Sequence, residues 1–139
     1  MILVDTTVLV YAAGREHPLR DPCRRLLEAH ARRTLRCTTT VEVVQEFTHV
    51  YGRARPRGAT SAVARDYITA FDLVSTAPSD LARGLELYEA HEQLGAFDAV
   101  LAAVVLNRGL EALVSADRDF EVVPGLRWLD PRAALTRPS

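Results

Sequence analysis

Met1-Ile2-Leu3-Val4-Asp5-Thr6-Thr7-Val8-Leu9-Val10-Tyr11-Ala12 opens the chain, and its reading decides the fold class. Ile2, Leu3 and Val4 form a short continuous apolar run. Such a run suits a strand buried on both faces of a parallel sheet. Asp5 follows where that strand ends, and the apolar run then resumes as a helix. Ligands in open α/β sheets gather at the carboxyl ends of strands. A carboxylate buried there without a partner costs several kcal/mol or takes up a proton. Asp5 therefore needs a partner elsewhere in the chain.

Working outward, strands alternate with helices. After the strand at 2–5, Thr6 or Thr7 can cap a helix over 7–13 that stops at Gly14. A helix over 21–33 carries Cys23, Leu26, Leu27 and His30 on its apolar stripe. Residues 35–39 read as a second strand, and Thr40 caps a helix over 41–53. The basic turn Arg53-Ala54-Arg55-Pro56-Arg57-Gly58 breaks that helix, and another follows over 59–71. Leu73-Val74-Ser75 reads as a weak strand, Pro78 starts a helix through His91, and Gly95 precedes a helix over 96–108. Residues 112–115 and 127–129 complete the strands. This alternation predicts an α/β fold with a central parallel sheet of four or five strands. Residues 1–132 read as a single domain, and 133–139 as a loose tail.

With 139 residues, 48% of them hydrophobic, the chain can bury one core. Cys23 and Cys37 form no disulfide framework, and the opening lacks the basic region of a signal peptide. The apolar run near 99–106 is too short for a bilayer. A cytoplasmic protein with no membrane association is expected. All 17 basic residues are arginine. Without lysine there is no Walker A loop and no Schiff-base chemistry.

Four acids sit where plain surface chemistry explains them poorly. Asp98 shares a helix face with Leu101, Ala102 and Val105, in the first turn. A dipole partner there gains ~0.3–1 kcal/mol but is better placed on the surface. Asp117 follows a strand as Asp5 does, although a turn aspartate explains it better when it is taken alone. Glu46 lies beside Val43, Phe47 and Val50, too far into its helix to cap it. Glu42 shares its face and can be a capping acid instead. Asp119 reads as turn or cap. If these acids converge, they repel unless a cation holds them. An all-oxygen set selects Mg2+, or Mn2+ in its place. His17, His30, His49 and His91 lack zinc-binding spacing. Carboxylate-held ions suit phosphodiester hydrolysis.

Asp5-Thr6-Thr7 after an apolar strand, Thr40 to Glu46 in Thr-Val-Glu-Val-Val-Gln-Glu-Phe, Gly95-Ala96-Phe97-Asp98-Ala99-Val100-Leu101-Ala102, and Leu113-Val114-Ser115-Ala116-Asp117-Arg118-Asp119-Phe120 occur in this order. The pattern resembles PIN-domain ribonucleases, and within them the VapC-type toxins of type II toxin–antitoxin systems, over roughly residues 1–130. The resemblance implies a three-layer PIN-like fold and a magnesium-dependent endoribonuclease that cuts structured RNA, tRNA or rRNA. It implies 5′-phosphate and 3′-hydroxyl product ends, a homodimer, and a VapB-like antitoxin that blocks the site. Carried over residue by residue, Asp5, Glu46, Asp98 and Asp117 match the metal-binding acids. Ser115 and Thr6 or Thr7 match supporting hydroxyls. Glu42 competes with Glu46, and Asp119 with Asp117. RNA is expected along Arg53, Arg55 and Arg57, and next along Arg24, Arg25, Arg32, Arg33 and Arg36. Tyr51, Tyr67, Ile68, Phe71 and Leu73 are either a dimer face or plain core. A dehalogenase-like phosphatase and a phospho-receiver both want a lysine. The remaining alternative is an inactive PIN-fold module that binds RNA or protein.

Overall fold

The computed structural model describes residues 1–136. Its centre is β1 (Ile2–Val4), whose three side chains are wholly buried. β1 pairs in parallel with β2 (Cys37–Thr38) on one side and β3 (Ala112–Val114) on the other. β4 (Trp128–Leu129) lies outside β3, also parallel, so the order is β2-β1-β3-β4. Ile2 stands opposite Cys37 and Ala112, and Val4 opposite Val114. From β1 the chain first builds to one side, then returns to the other. The carboxyl ends of β1 and β3 thus flank a topological switch point.

Helices cover the sheet: α1 (Thr6–Ala13), α2 (Arg20–Ala31), α3 (Val41–Tyr51), α4 (Arg57–Ala70), α5 (Pro78–Ala90), α6 (Ala96–Asn107) and α7 (Pro131–Thr136). α6 is apolar nearly all round and is sunk into the core, with Ala99 and Leu101 to Val105 buried. α3 begins where expected, with Thr40 Oγ1 accepting the Val43 N–H at 3.0 Å. α1 begins one residue earlier than the spacing predicts. Asp5 itself is its N-cap residue, so the acid sits at the positive end of the helix.

α5 and α6 touch backbone to side chain at Gly84, where a Cβ would stand 2.7 Å from Val100 Cα. Alanine at 84 should therefore lower the thermal midpoint. Its better helix propensity is worth about 1 kcal/mol, against an overpacking cost of about 1–3 kcal/mol. A midpoint raised by Gly84→Ala would show that the two helices part freely.

Two expectations need correction, and one open alternative is decided. Leu73-Val74-Ser75 is not a strand: only Val74 pairs, with Thr40. β2 runs out there because Thr40 turns into the cap of α3. The supposed tail is helical through Thr136, because Ala134 packs into the core, 1% exposed, and anchors α7. Residues 137–139 lie outside the described residues. Finally, the aromatic set around α4 is core rather than a face. Tyr67 and Phe71 are buried, Tyr51 and Leu73 pack on the core, and only Ile68 is exposed. The two tyrosine hydroxyls donate to backbone, Tyr67 to Leu9 O at 3.0 Å and Tyr51 to Ala13 O at 3.2 Å.

Candidate active site

The switch point is closed by backbone first: the Asp5 N–H donates to Val114 O at 3.0 Å. That bond fixes Asp5 beside Ser115, the residue after β3. Asp5 is 3% exposed and Ser115 is wholly buried. The Ser115 hydroxyl donates to Asp5 Oδ2 in a short hydrogen bond. The Thr7 hydroxyl donates to the same oxygen at 3.2 Å and lies 3.3 Å from Ser115 Oγ. Two backbone groups complete the network. The Ala116 N–H donates to Thr7 Oγ1 at 3.0 Å, and the Asp117 N–H to Ser115 Oγ at 2.9 Å. One buried carboxylate, two hydroxyls and the turn after β3 are thereby locked into one unit. Trp128 holds that turn from outside, its indole N–H donating to Ser115 O at 3.1 Å. Neither Trp128 nor the join across 108 residues between Thr7 and Ser115 carries a local sequence signal. Thr6 has a different place, its Oγ1 buried without a hydrogen-bond partner.

Asp117 is both a turn residue and a site residue. Its Oδ1 accepts the Asp119 N–H at 2.9 Å and so caps the short 3-10 turn Arg118–Val122. Its charge, with those of Asp5, Glu46 and Asp119, also acts on Asp98. Burial is the largest influence on Asp98 and the four acids follow, all in the same direction, so its carboxyl is pushed up to about 7. Asp5 is raised too, by burial first, although hydrogen bonds from Ser115, Thr7 and the Thr6 backbone pull the other way. Glu46 adds a repulsive contribution to Asp5. Of the two glutamates, Glu46 is thus the one whose charge acts on both Asp5 and Asp98. Glu42 lines a small apolar cleft with Thr40, Thr76, Phe97 and Leu101, where its Oε2 is buried without a partner.

Five acids therefore share one crevice, four of them raising the fifth. Their oxygens are a hard donor set that fits Mg2+ or Mn2+ and not a soft metal. Among the described residues, no three His, Cys, Asp or Glu side chains stand in ready-made ion-holding geometry. The fit is one of donor chemistry and uncompensated charge.

The three arginines of the basic turn separate. Arg55 folds back, its guanidinium 3.7 Å from the Tyr51 ring centroid and its Nη1 donating to Tyr51 O at 3.0 Å. Arg53 and Arg57 face a different cleft, between α3 and α4.

Comparison with known proteins agrees with this geometry. The PIN domain family model matches residues 2–126. Ribonuclease VapC7 of Mycobacterium tuberculosis is 46% identical over 142 residues, covering 96% of this chain and 94% of its own. Ribonuclease VapC23 of the same species is 34% identical, over 84% of this chain and 93% of its own. Among solved structures, Mycobacterium tuberculosis VapC20, a toxin cleaving the sarcin–ricin loop, superposes with a TM-score of 0.73 at 19% identity. That match covers 87% of this chain and 93% of the other. Rickettsia felis VapBC2, bound to a promoter DNA fragment, gives 0.72 at 20% identity over 94% and 98%. With its switch-point acids, its parallel sheet and these relatives, the chain belongs to the PIN-domain family, among the VapC-type ribonucleases.

Proposed function

We propose that this endoribonuclease cuts structured RNA, tRNA or rRNA, at the crevice between β1 and β3, using a divalent cation held by Asp5, Asp98 and Asp117. The observation that carries the reading is the Asp98 carboxyl, pushed up to about 7 by burial and four neighbouring acids. Glu46 either joins the ligand set or orients the attacking water. Asp119 reinforces Asp98 and Asp117 by charge. When bound, Mg2+ stabilises negative charge developing on the phosphate and lowers the pKa of water.

The chain's own residues position the reactants. The Ser115 and Thr7 hydroxyls fix Asp5 Oδ2, and the Thr6 backbone N–H adds a further hydrogen bond to the carboxylate. Asp117 is fixed through Oδ1 by the Asp119 N–H. Asp5 and Asp117 are thus oriented before substrate arrives, which supplies preorganisation. Water attack at phosphorus would break the bond to the 3′ oxygen and leave 5′-phosphate and 3′-hydroxyl ends.

The biological setting follows the relatives. The protein acts as a toxin in the cytoplasm and is neutralised by a VapB-like antitoxin that blocks the crevice. No helix among the described residues is long and apolar enough to cross a membrane. A homodimer is supported by the exposed stripe Leu81, Leu85 and Tyr88, which repeats at helical spacing along α5.

The test uses purified protein and total cellular RNA. Cleavage should require Mg2+ or Mn2+, stop with chelator, and leave 5′-phosphate ends. If wild type and Asp98→Asn are equally inert on every RNA, the chain is a binding module instead. A milder variant checks the support for Asp5. Ser115→Ala removes one donor from Asp5 Oδ2 and the acceptor of the Asp117 N–H. Activity should fall about 10–100-fold. The thermal midpoint should fall too, by the equivalent of about 1–3 kcal/mol. A variant with wild-type rates would show that Thr7 alone suffices.

A further inference from the structure

A basic cleft of about 470 Å³ lies between α3 and α4, lined by Thr48, His49, Gly52, Arg53, Arg57, Thr60 and Ser61. We propose that this cleft holds a backbone phosphate of the substrate RNA, one step along the strand from the bond being cut. This rests on the ribonuclease reading above and names a second anchoring point for the same substrate.

Four observations carry it. First, the wall is cationic and its charge is uncompensated. Arg53 and Arg57 are exposed, as is Arg65 next to Ser61, and none of the three forms an ion pair among the described residues. Second, two hydrogen bonds between residues four apart order side chains on either side of it. The Arg53 Nη2 donates to His49 Nε2 at 3.3 Å, and Arg65 Nε to Ser61 Oγ at 3.3 Å. Third, α4 begins here without a side-chain cap. Thr60 is the first N–H to bond back, to Pro56 O at 3.1 Å. The N–H groups of residues 57–59 therefore have no partner within the helix, and the positive end of a 14-residue helix joins the same wall. Fourth, the cleft is in line with the site. Glu46, His49 and Arg53 are spaced by three and seven residues, so they share one face of α3 and its 3-10 extension. Arg53 lies roughly 10 Å along that face from Glu46.

The chemistry points to a phosphodiester. No Phe, Tyr or Trp ring and no carboxylate lines the cleft, and its one imidazole, His49, is engaged by Arg53, so it would recognise charge and not a base. Arg57 and Ser61 stand one turn apart on α4, and a guanidinium with a hydroxyl suits adjacent phosphate oxygens. Arg55, turned onto Tyr51, takes no part.

The test measures binding with chemistry switched off. A labelled single-stranded RNA of mixed sequence is titrated in EDTA, across a salt series, with wild type, the double variant Arg53→Gln/Arg57→Gln, and Arg53→Lys/Arg57→Lys. Thermal melts confirm equal folding. The glutamine pair should weaken binding about tenfold for all sequences. It should also flatten the slope of log K against log salt by about 0.7, the value for one phosphate on a single strand. The lysine pair should keep the wild-type slope. Unchanged affinity and slope in the glutamine pair would overturn the proposal, as would an equal loss in the lysine pair. If the glutamine pair binds RNA normally but loses an acidic partner protein, the cleft serves that protein, and the proposal falls. Wild type that binds neither this strand nor folded tRNA and rRNA sinks the ribonuclease reading as well, which separates the two failures.

Discussion

Asp5→Asn is expected to lower RNA cleavage by about a thousandfold or more at saturating Mg2+, while the protein folds as before. The substitution keeps the shape of the side chain and removes its charge. Asp5 Oδ2 accepts from two hydroxyls, Ser115 and Thr7. An asparagine oxygen can accept from the same pair, so the lock between α1 and the turn after β3 survives. The other oxygen becomes an amide with two donors, in the site proposed to hold a cation. That exchange turns the most buried of the five acids into a repulsive group. Losing a carboxylate ligand from such a site removes far more than the 10–100-fold typical of a supporting hydrogen bond. Single-turnover cleavage rates check the expectation, together with a thermal melt. A rate within tenfold of wild type, at equal folding, would remove Asp5 from the machinery.

Much of this arrangement was legible because it is local. An apolar triplet ending in an acid marks a parallel strand reaching a switch point, and β1 is that strand. Asp98 was legible because a carboxylate on an otherwise apolar helix face has no surface to serve, and α6 is indeed sunk into the core. What escaped the sequence depends on partners far away in the chain. Asp80 carries no local signal that sets it apart from a surface acid, yet it is 1% exposed. It accepts from the Ala77 N–H at 2.7 Å, Asn107 Nδ2 at 2.9 Å and Arg108 Nη1 at 2.9 Å. Burial pushes its carboxyl up, but these donors outweigh burial and hold it below the usual range. Nothing near residue 80 announces an arginine 28 positions away. The same holds for α7, whose burial depends on α2, and for Trp128, which steadies Ser115 from the next strand. The three arginines of the basic turn looked equivalent in sequence. The 3-10 turn Gly52–Ala54 sends Arg55 to one side and Arg53 to the other.

In the metal-free protein, Asp98→Asn is expected to raise the thermal midpoint at pH 8, by about 3–6 °C, although it abolishes activity. The reason is the direction of the Asp98 shift. Its carboxyl has an ordinary value of 3.8 and stands at about 7 in the fold. Below pH 4 both folded and unfolded chains hold the proton, and Asp98 makes no difference to stability. Between pH 4 and 7 the folded chain keeps a proton that the unfolded chain has released, so stability falls as pH rises through this window. Above pH 7 the penalty is fully present, because a charged Asp98 faces burial and four like charges. Asp98 is half-buried, so solvent screening reduces the penalty to about 1–2 kcal/mol, which sets the expected shift in midpoint. Asparagine removes it. Wild type and variant should therefore coincide below pH 4 and diverge steadily up to pH 8. Adding a divalent cation should reverse the order. The wild type gains about 2.7 kcal/mol when the ion is at a hundred times its dissociation constant. The variant, lacking the ligand, gains little. Melts at four pH values, with EDTA and with Mg2+, read the whole pattern. If the two proteins run parallel at every pH in EDTA, repulsion at Asp98 is relieved by something other than a cation, and the case for a metal held between these acids fails.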